Sequence, residues 1–205
     1  MGQDIRLKSK NIFNAYLSLG LLEIASETNP DKRVSQQNIF EKMPHELNIN
    51  DVSDIRDYIN SAKKWLKDAD LTDAETDYLI NTRAKGTRLL NNIPETCYKD
   101  FLAGFLLLNL IEDKNHIELI NNTFKNSIEK PLSIITKIAL AKIAVKTISI
   151  ALVNPARIID FIPNAFKFNS DEWLIIGSNI TDHDHYYELK LSNISKIKYK
   201  YISPI

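Results

Sequence analysis

The hydrophobic period of the chain changes for good near residue 147, and that switch constrains the fold more than any motif. Up to Ala144 helical spacing prevails, broken by one hairpin; from there Thr147-Ile148-Ser149-Ile150-Ala151-Leu152 alternates as a strand should. Helices and strands gathered into separate stretches predict an α+β fold.

Three helices are expected before the hairpin. From Ser9 to Thr28 the residues Ile12, Phe13, Tyr16, Leu17, Leu19, Leu21 and Ile24 keep helical spacing, and Asn29-Pro30 stops it. Ser35 is placed to cap a short helix through Lys42 with Ile39 and Phe40 on its apolar side, ended by Pro44. The third helix starts near Asp51, whose carboxylate suits a positive N-terminus, and runs to about Asp68. Its stripe is Val52, Ile55, Ile59, Ala62 and Leu66. Facing away stand Ser53, Arg56, Asp57, Asn60, Lys63, Lys64 and Lys67, a set rich in types that contact base edges and phosphates.

Thr76 to Thr82 alternates and Thr87 to Leu90 can pair back onto it, with Arg83-Ala84-Lys85-Gly86 as a basic turn. Helix, short helix, long helix and basic hairpin, in that order, spell an N-terminal winged helix-turn-helix over residues 1–92. Residues 93–130 read as a helical linker or dimerisation segment opened by Pro94. Its apolar run around Phe105 to Leu110 suits either plain core or a subunit interface.

Residues 131–205 read as a small β-rich domain led by an amphipathic helix from Leu132 to Ala144. Expected strands are 147–152, Arg157 to Ile162, Ala165 to Phe168, Trp173 to Ser178, Tyr186 to Leu191 and Ile197 to Tyr201. Asn154-Pro155, Pro163, Asn169-Ser170-Asp171, a His/Asp loop and Asn193 separate them.

Charge narrows the function. The chain carries 26 Lys plus Arg against 26 Asp plus Glu, and residues 1–92 hold thirteen basic and fourteen acidic residues, so nucleic-acid binding would have to use local patches. One such patch is the hairpin: between Tyr78 and Ile93 stand Arg83, Lys85 and Arg88 with no acid. Five glycines, none in a phosphate-cradling loop, argue against a nucleotide enzyme, and no G-x-S-x-G or H-E-x-x-H pattern places a nucleophile or catalytic metal. Asp182-His183-Asp184-His185 has ligand-like alternation but, as an isolated loop, is expected to hold no metal; no cofactor is expected. The single cysteine, Cys97, excludes an intrachain disulfide, nothing at the N-terminus reads as a signal peptide, and Ala103 to Ile111 falls short of the roughly 20 residues of a membrane helix. A cytoplasmic protein with no membrane association is the expectation.

The last 60 or so residues resemble a WYL domain, the small β-barrel-like (Sm/SH3-like) sensor behind winged helices in bacterial transcription regulators, with Trp173-Leu174-Ile175 at the name-giving triplet and Leu191-Ser192-Asn193-Ile194 at its Leu-Asp-Arg-Ile ending. The central Tyr of the family is Leu174 here, and its ligand-facing Arg is Asn193. Ile55-Arg56-Asp57-Tyr58-Ile59 resembles the recognition-helix stretch of these regulators, and Arg83-Ala84-Lys85-Gly86-Thr87-Arg88-Leu89-Leu90 their wing.

The resemblance implies a sequence-specific DNA-binding regulator, a repressor, in a stress, DNA-damage or phage-defence setting, acting on double-stranded DNA as a homodimer. Arg56 and Asn60 would then read base edges, with Ser53 beside them, while Lys63, Lys64, Lys67, Arg83, Lys85 and Arg88 hold phosphates. In the sensor domain, strand alternation suggests that Arg157, Lys167 and Lys190 line an anion-binding face for a nucleotide or nucleic-acid fragment, with Asn193 at the family's ligand position. Trp173 fits either ligand contact or core anchor. The competing reading is a protein-interaction accessory factor whose winged helix binds a protein partner, which the neutral charge favours.

Overall fold

The computed structural model describes residues 2–29, 31–69, 79–82, 86–89, 132–169, 172–180 and 182–199. They form an α+β structure in two compact units, one holding 2–89 and the other 132–199. The expected linker at 93–130, including Phe105 to Leu110 and Cys97, lies outside the described residues.

In the first unit α1 spans Gly2–Thr28, starting earlier than its expected Ser9. Every residue from Phe13 to Leu22 is buried, so the helix is enclosed on all sides rather than along one stripe. Ser18 Oγ donates to the carbonyl of Asn14 one turn back (2.8 Å), which lets a buried hydroxyl pay its desolvation locally. Helices α2 (Gln36–Lys42) and α3 (Val52–Ala69) pack on α1, joined by a 3-10 turn at His45–Leu47 and a left-handed Asn48 (φ 51°).

Both helix starts are built from the expected side chains. Ser35 Oγ accepts from the Asn38 amide (3.1 Å). At α3 the Asp51 carboxylate accepts from the Ser53 amide (2.8 Å), and Asp54 reaches back to the amides of Asn50 (3.0 Å) and Asp51 (3.3 Å), a reciprocal box that satisfies amides no helical carbonyl can reach.

Strands β1 (Leu79–Thr82) and β2 (Gly86–Leu89) pair antiparallel from Leu79↔Leu89 to Thr82↔Gly86. Gly86, expected in the turn, instead opens β2; Arg83, Ala84 and Lys85 lie outside the described residues. Val34, just before α2, adds a third edge to the hairpin by exchanging both backbone bonds with Thr87 (2.8 Å each). That approach needs Gly86: a Cβ there would stand 2.6 Å from the Val34 carbonyl oxygen, and its φ of +81° is one L-residues rarely adopt.

The second unit begins with α4 (Leu132–Ile143), expected to be amphipathic. Instead Leu132 through Ala141 are all buried, Ser133, Thr136 and Lys137 included, because the surrounding structure covers the helix's polar side as well. It lies against a five-stranded antiparallel sheet: β3 (Ile148–Leu152), β4 (Arg157–Asn169), β5 (Glu172–Asn179), β6 (Asp182–Lys190) and β7 (Ile194–Tyr199), in the spatial order β6-β5-β4-β3-β7. Its main strand contacts are with β4 and β7.

Three strand expectations are corrected. Pro163 does not divide β4; the strand runs straight through it, because the residue lies past the last β3 pair, Ile148↔Phe161, where its missing N–H deprives no neighbour on that side. The His/Asp segment is not a loop but the start of β6: Asn179 pairs with Asp182 while Ser178 pairs with Tyr186, so residues 183–185 form a bulge inside the strand. And β7 begins at Ile194, directly after a 3-10 turn at Leu191–Asn193, rather than at Ile197.

Cross-strand partners share a face, so the register sorts the sheet. One face collects Ile148, Ile150, Leu152, Phe161, Phe166, Trp173, Ile175, Leu189, Ile194 and Ile197, all buried. Side chains of this size contribute roughly 1.5–3 kcal/mol each on burial. The register shift at Asn164, between Pro163 and Ala165, lets Phe161 and Phe166 share that face although odd and even positions would otherwise diverge.

Candidate nucleic-acid interface

Helix α3 divides its residues cleanly. Ile55, Ile59 and Ala62 are buried and Val52 half-buried, whereas Ser53, Arg56, Asp57, Asn60 and Lys64 are exposed and Lys63 half-buried. The side chains of Leu66 and Lys67 lie outside the described set. Eighteen residues at about 1.5 Å each give a rod of about 27 Å, with a polar ridge along the outside narrow enough for a major groove about 12 Å wide.

The cations of this surface are partly committed. Arg56 Nε stands 3.6 Å from an Asp57 carboxylate oxygen, both side chains well exposed, an arrangement worth at most about 1 kcal/mol and easily exchanged for another anion. Arg88, expected to project from the wing, donates instead to the Asp31 carboxylate on the α1–α2 connection; its side chain is 25% exposed against 88% for Asp31. Two carriers of the expected phosphate contacts, Arg83 and Lys85, lie outside the described residues.

In the second unit the expected anion-binding face does not assemble. The bulge at Asn164 reverses the parity of β4, so Arg157 falls on the Trp173 face while Lys167 and Lys190 flank Leu174 on the opposite one. Each lysine there already meets a carboxylate: Lys167 Nζ lies 2.8 Å from Glu188, and Lys190 Nζ 2.8 Å from Glu172. The Lys190 bond, with a second from Ser192 Oγ (2.7 Å), holds the Glu172 carboxyl below its ordinary value. Leu174 and Ile176 are buried on this face, where the two lysine stems flank Leu174.

Trp173 is 3% exposed on the core face, which makes it an anchor of the sheet. Asn193 spends both ends of its amide on the β3–β4 turn: Nδ2 donates to the Asn154 carbonyl (2.6 Å) and Oδ1 accepts from the Asn154 amide (2.7 Å). Its carbonyl also takes the Val153 amide (2.9 Å), so the residue is a clip rather than a ligand contact. Among the described residues no group of three or more His, Cys, Asp or Glu could hold a metal ion, and the side chains of Asp182, His183 and Asp184 are not among those described. No helix of the described residues is long and apolar enough to cross a membrane.

Sequence reasoning passed over Asp31, Arg33 and Val34, which stand beside the hairpin. The available signal was a β-branched residue between polar neighbours just ahead of the Ser35 cap, enough for one bridge of strand pairing but too short for a periodicity. No family model matches the chain, and a search of curated proteins finds no match.

Proposed function

We propose that the chain is a DNA-binding transcriptional regulator in which the first unit is a winged helix-turn-helix and α3 its recognition helix. The observation that carries this reading is the division of α3: Ile55 and Ile59 lock one side into the core while Ser53, Arg56, Asn60 and Lys64 are exposed along the other. The capped α2, the short turn and the hairpin stitched to Val34 supply the expected frame around it.

On this reading Arg56 and Asn60 contact base edges and Lys63, Lys64 and Lys67 contact phosphates, within a homodimer acting on double-stranded DNA in the cytoplasm. The second unit is read as a WYL-like sensor, supported by its leading helix, the order β6-β5-β4-β3-β7 and the 3-10 turn before the last strand. A nucleotide or nucleic-acid-fragment effector there would have to displace Glu188 from Lys167 and Glu172 from Lys190. Repression in a stress or phage-defence setting rests on the family resemblance alone.

The test is genome-wide recovery of bound DNA followed by a salt-titrated shift assay on the recovered site. Arg56→Ala and Asn60→Ala should each lower discrimination by about 1–3 kcal/mol at one position, whereas Lys64→Ala should weaken all sequences alike. A second reading, a protein-interaction factor, is favoured by the carboxylates already matched to Arg56 and Arg88. Failure to recover any DNA, with a protein partner retained on the α3 face, would select it.

A further inference from the structure

The Val34–Thr87 bridge places an arginine that no motif assigned. Val34 and Thr87 are both buried and exchange two backbone bonds in an isolated antiparallel bridge, so Arg33 and Arg88, the next residue of each strand in the antiparallel sense, leave the bridge on the same side. Alternation turns that pair away from the face that buries Val34 and Thr87. Arg33 is exposed, and among the described residues no carboxylate is paired with it.

Like charges on the same side of paired strands repel, so two guanidinium groups at this position call for an anion. One is supplied from within: Asp31 accepts from Arg88, held there by a turn in which Asn29 Oδ1 takes the Asp31 amide (3.0 Å) and the Asn29 carbonyl takes the Lys32 amide (2.9 Å). One carboxylate against two arginines leaves a positive charge over. Asp31 is 88% exposed, so water screens its hold on Arg88.

We propose that Arg33 and Arg88 form a clasp for one backbone phosphate of duplex DNA, with the Asp31 carboxylate as an internal counterion that the phosphate replaces. Guanidinium forks match phosphate oxygens two at a time, which a carboxylate shared between two arginines does not satisfy. The inference rests on the DNA-binding reading and adds to it a phosphate contact outside α3 and outside the hairpin tip.

The test uses the full chain and a mixed-sequence DNA duplex, with affinity followed by fluorescence anisotropy from about 50 to 200 mM salt. Arg33→Ala should lower the slope of log affinity against log salt by about 0.9, the value of one lost phosphate contact, with an unchanged melting temperature. Arg33→Gln, which keeps the side-chain stem, should do the same. Asp31→Asn should steepen the slope and tighten binding severalfold. A wild-type slope in both Arg33 variants overturns the clasp and leaves the DNA reading standing; weaker binding by Asp31→Asn makes the carboxylate a scaffold and overturns its role as counterion. Absence of salt-dependent binding by the wild-type chain overturns the clasp and the reading together.

Discussion

Two polar surfaces of this protein look alike in sequence and differ in what they do with their side chains. On α3, Ser53 and Lys64 are exposed to solvent, and Arg56 meets Asp57 only loosely at 3.6 Å. On the outer face of the sheet and the turns that border it, polar groups hold one another: Lys167 with Glu188, Lys190 and Ser192 with Glu172, Asn193 with Asn154, Ser149 with Asp160. The exposed Ser53, Arg56 and Lys64 of the first surface contribute little to stability. The second is spent on the fold, and a ligand would have to compete for it.

The largest contrast lies within α3 itself. Ile59→Ala removes a fully buried side chain and should cost about 2–5 kcal/mol in chemical denaturation, while Lys64→Ala, five positions on, should stay within about 0.5 kcal/mol. A Lys64 variant as destabilising as the Ile59 one would erase the division of the helix on which the proposed function stands.

Next in size is the hairpin. Gly86→Ala drives a Cβ to 2.6 Å from the Val34 carbonyl and forces an L-residue to a φ of +81°, which should cost at least about 1–2 kcal/mol. Amide exchange is the sharper measurement, since Val34 and Thr87 amides should lose protection together when their mutual bonds open.

A smaller effect separates the two surfaces directly. Asn193→Ala deletes two bonds to Asn154 and should lower stability by about 1–2 kcal/mol, whereas Ser53→Ala, whose backbone amide but not its hydroxyl serves the Asp51 cap, should leave it unchanged. Equal melting temperatures for the two variants would mean that the sheet's polar groups are as dispensable as those of α3.

That distinction was not legible in the sequence, and the reason is physical. Ser35, Asp51 and the Ile55–Ile59–Ala62 stripe act within one or two turns, so spacing alone predicts their roles, and α2, α3 and the hairpin follow. Arg157 and Lys167 are both odd-numbered on one strand, so simple alternation assigns them one face; a single extra residue at Asn164 separates them. Arg88 meets Asp31 across 57 residues and Asn193 meets Asn154 across 39, pairings that depend on how the chain returns rather than on any local pattern. Helix α4, buried from Leu132 to Ala141, reads as amphipathic in the sequence for the same reason: what covers Ser133, Thr136 and Lys137 comes from elsewhere in the chain.

The smallest expected effect tests the sheet surface by pH. Glu172 has its carboxyl held below the ordinary value by Lys190 and Ser192, so the native state binds its proton less readily than the unfolded chain. The stability this contributes is fully present above the ordinary carboxylate value of 4.5 and is lost as pH falls through the lower, folded value. Because Lys190 is 65% exposed, solvent limits the pair to less than about 1 kcal/mol. Glu172→Gln should therefore be slightly less stable than wild type at neutral pH, and the gap should close in acid, where the wild-type carboxyl is protonated too. A gap that persisted unchanged into acid would assign the loss to packing at the end of β5 rather than to charge.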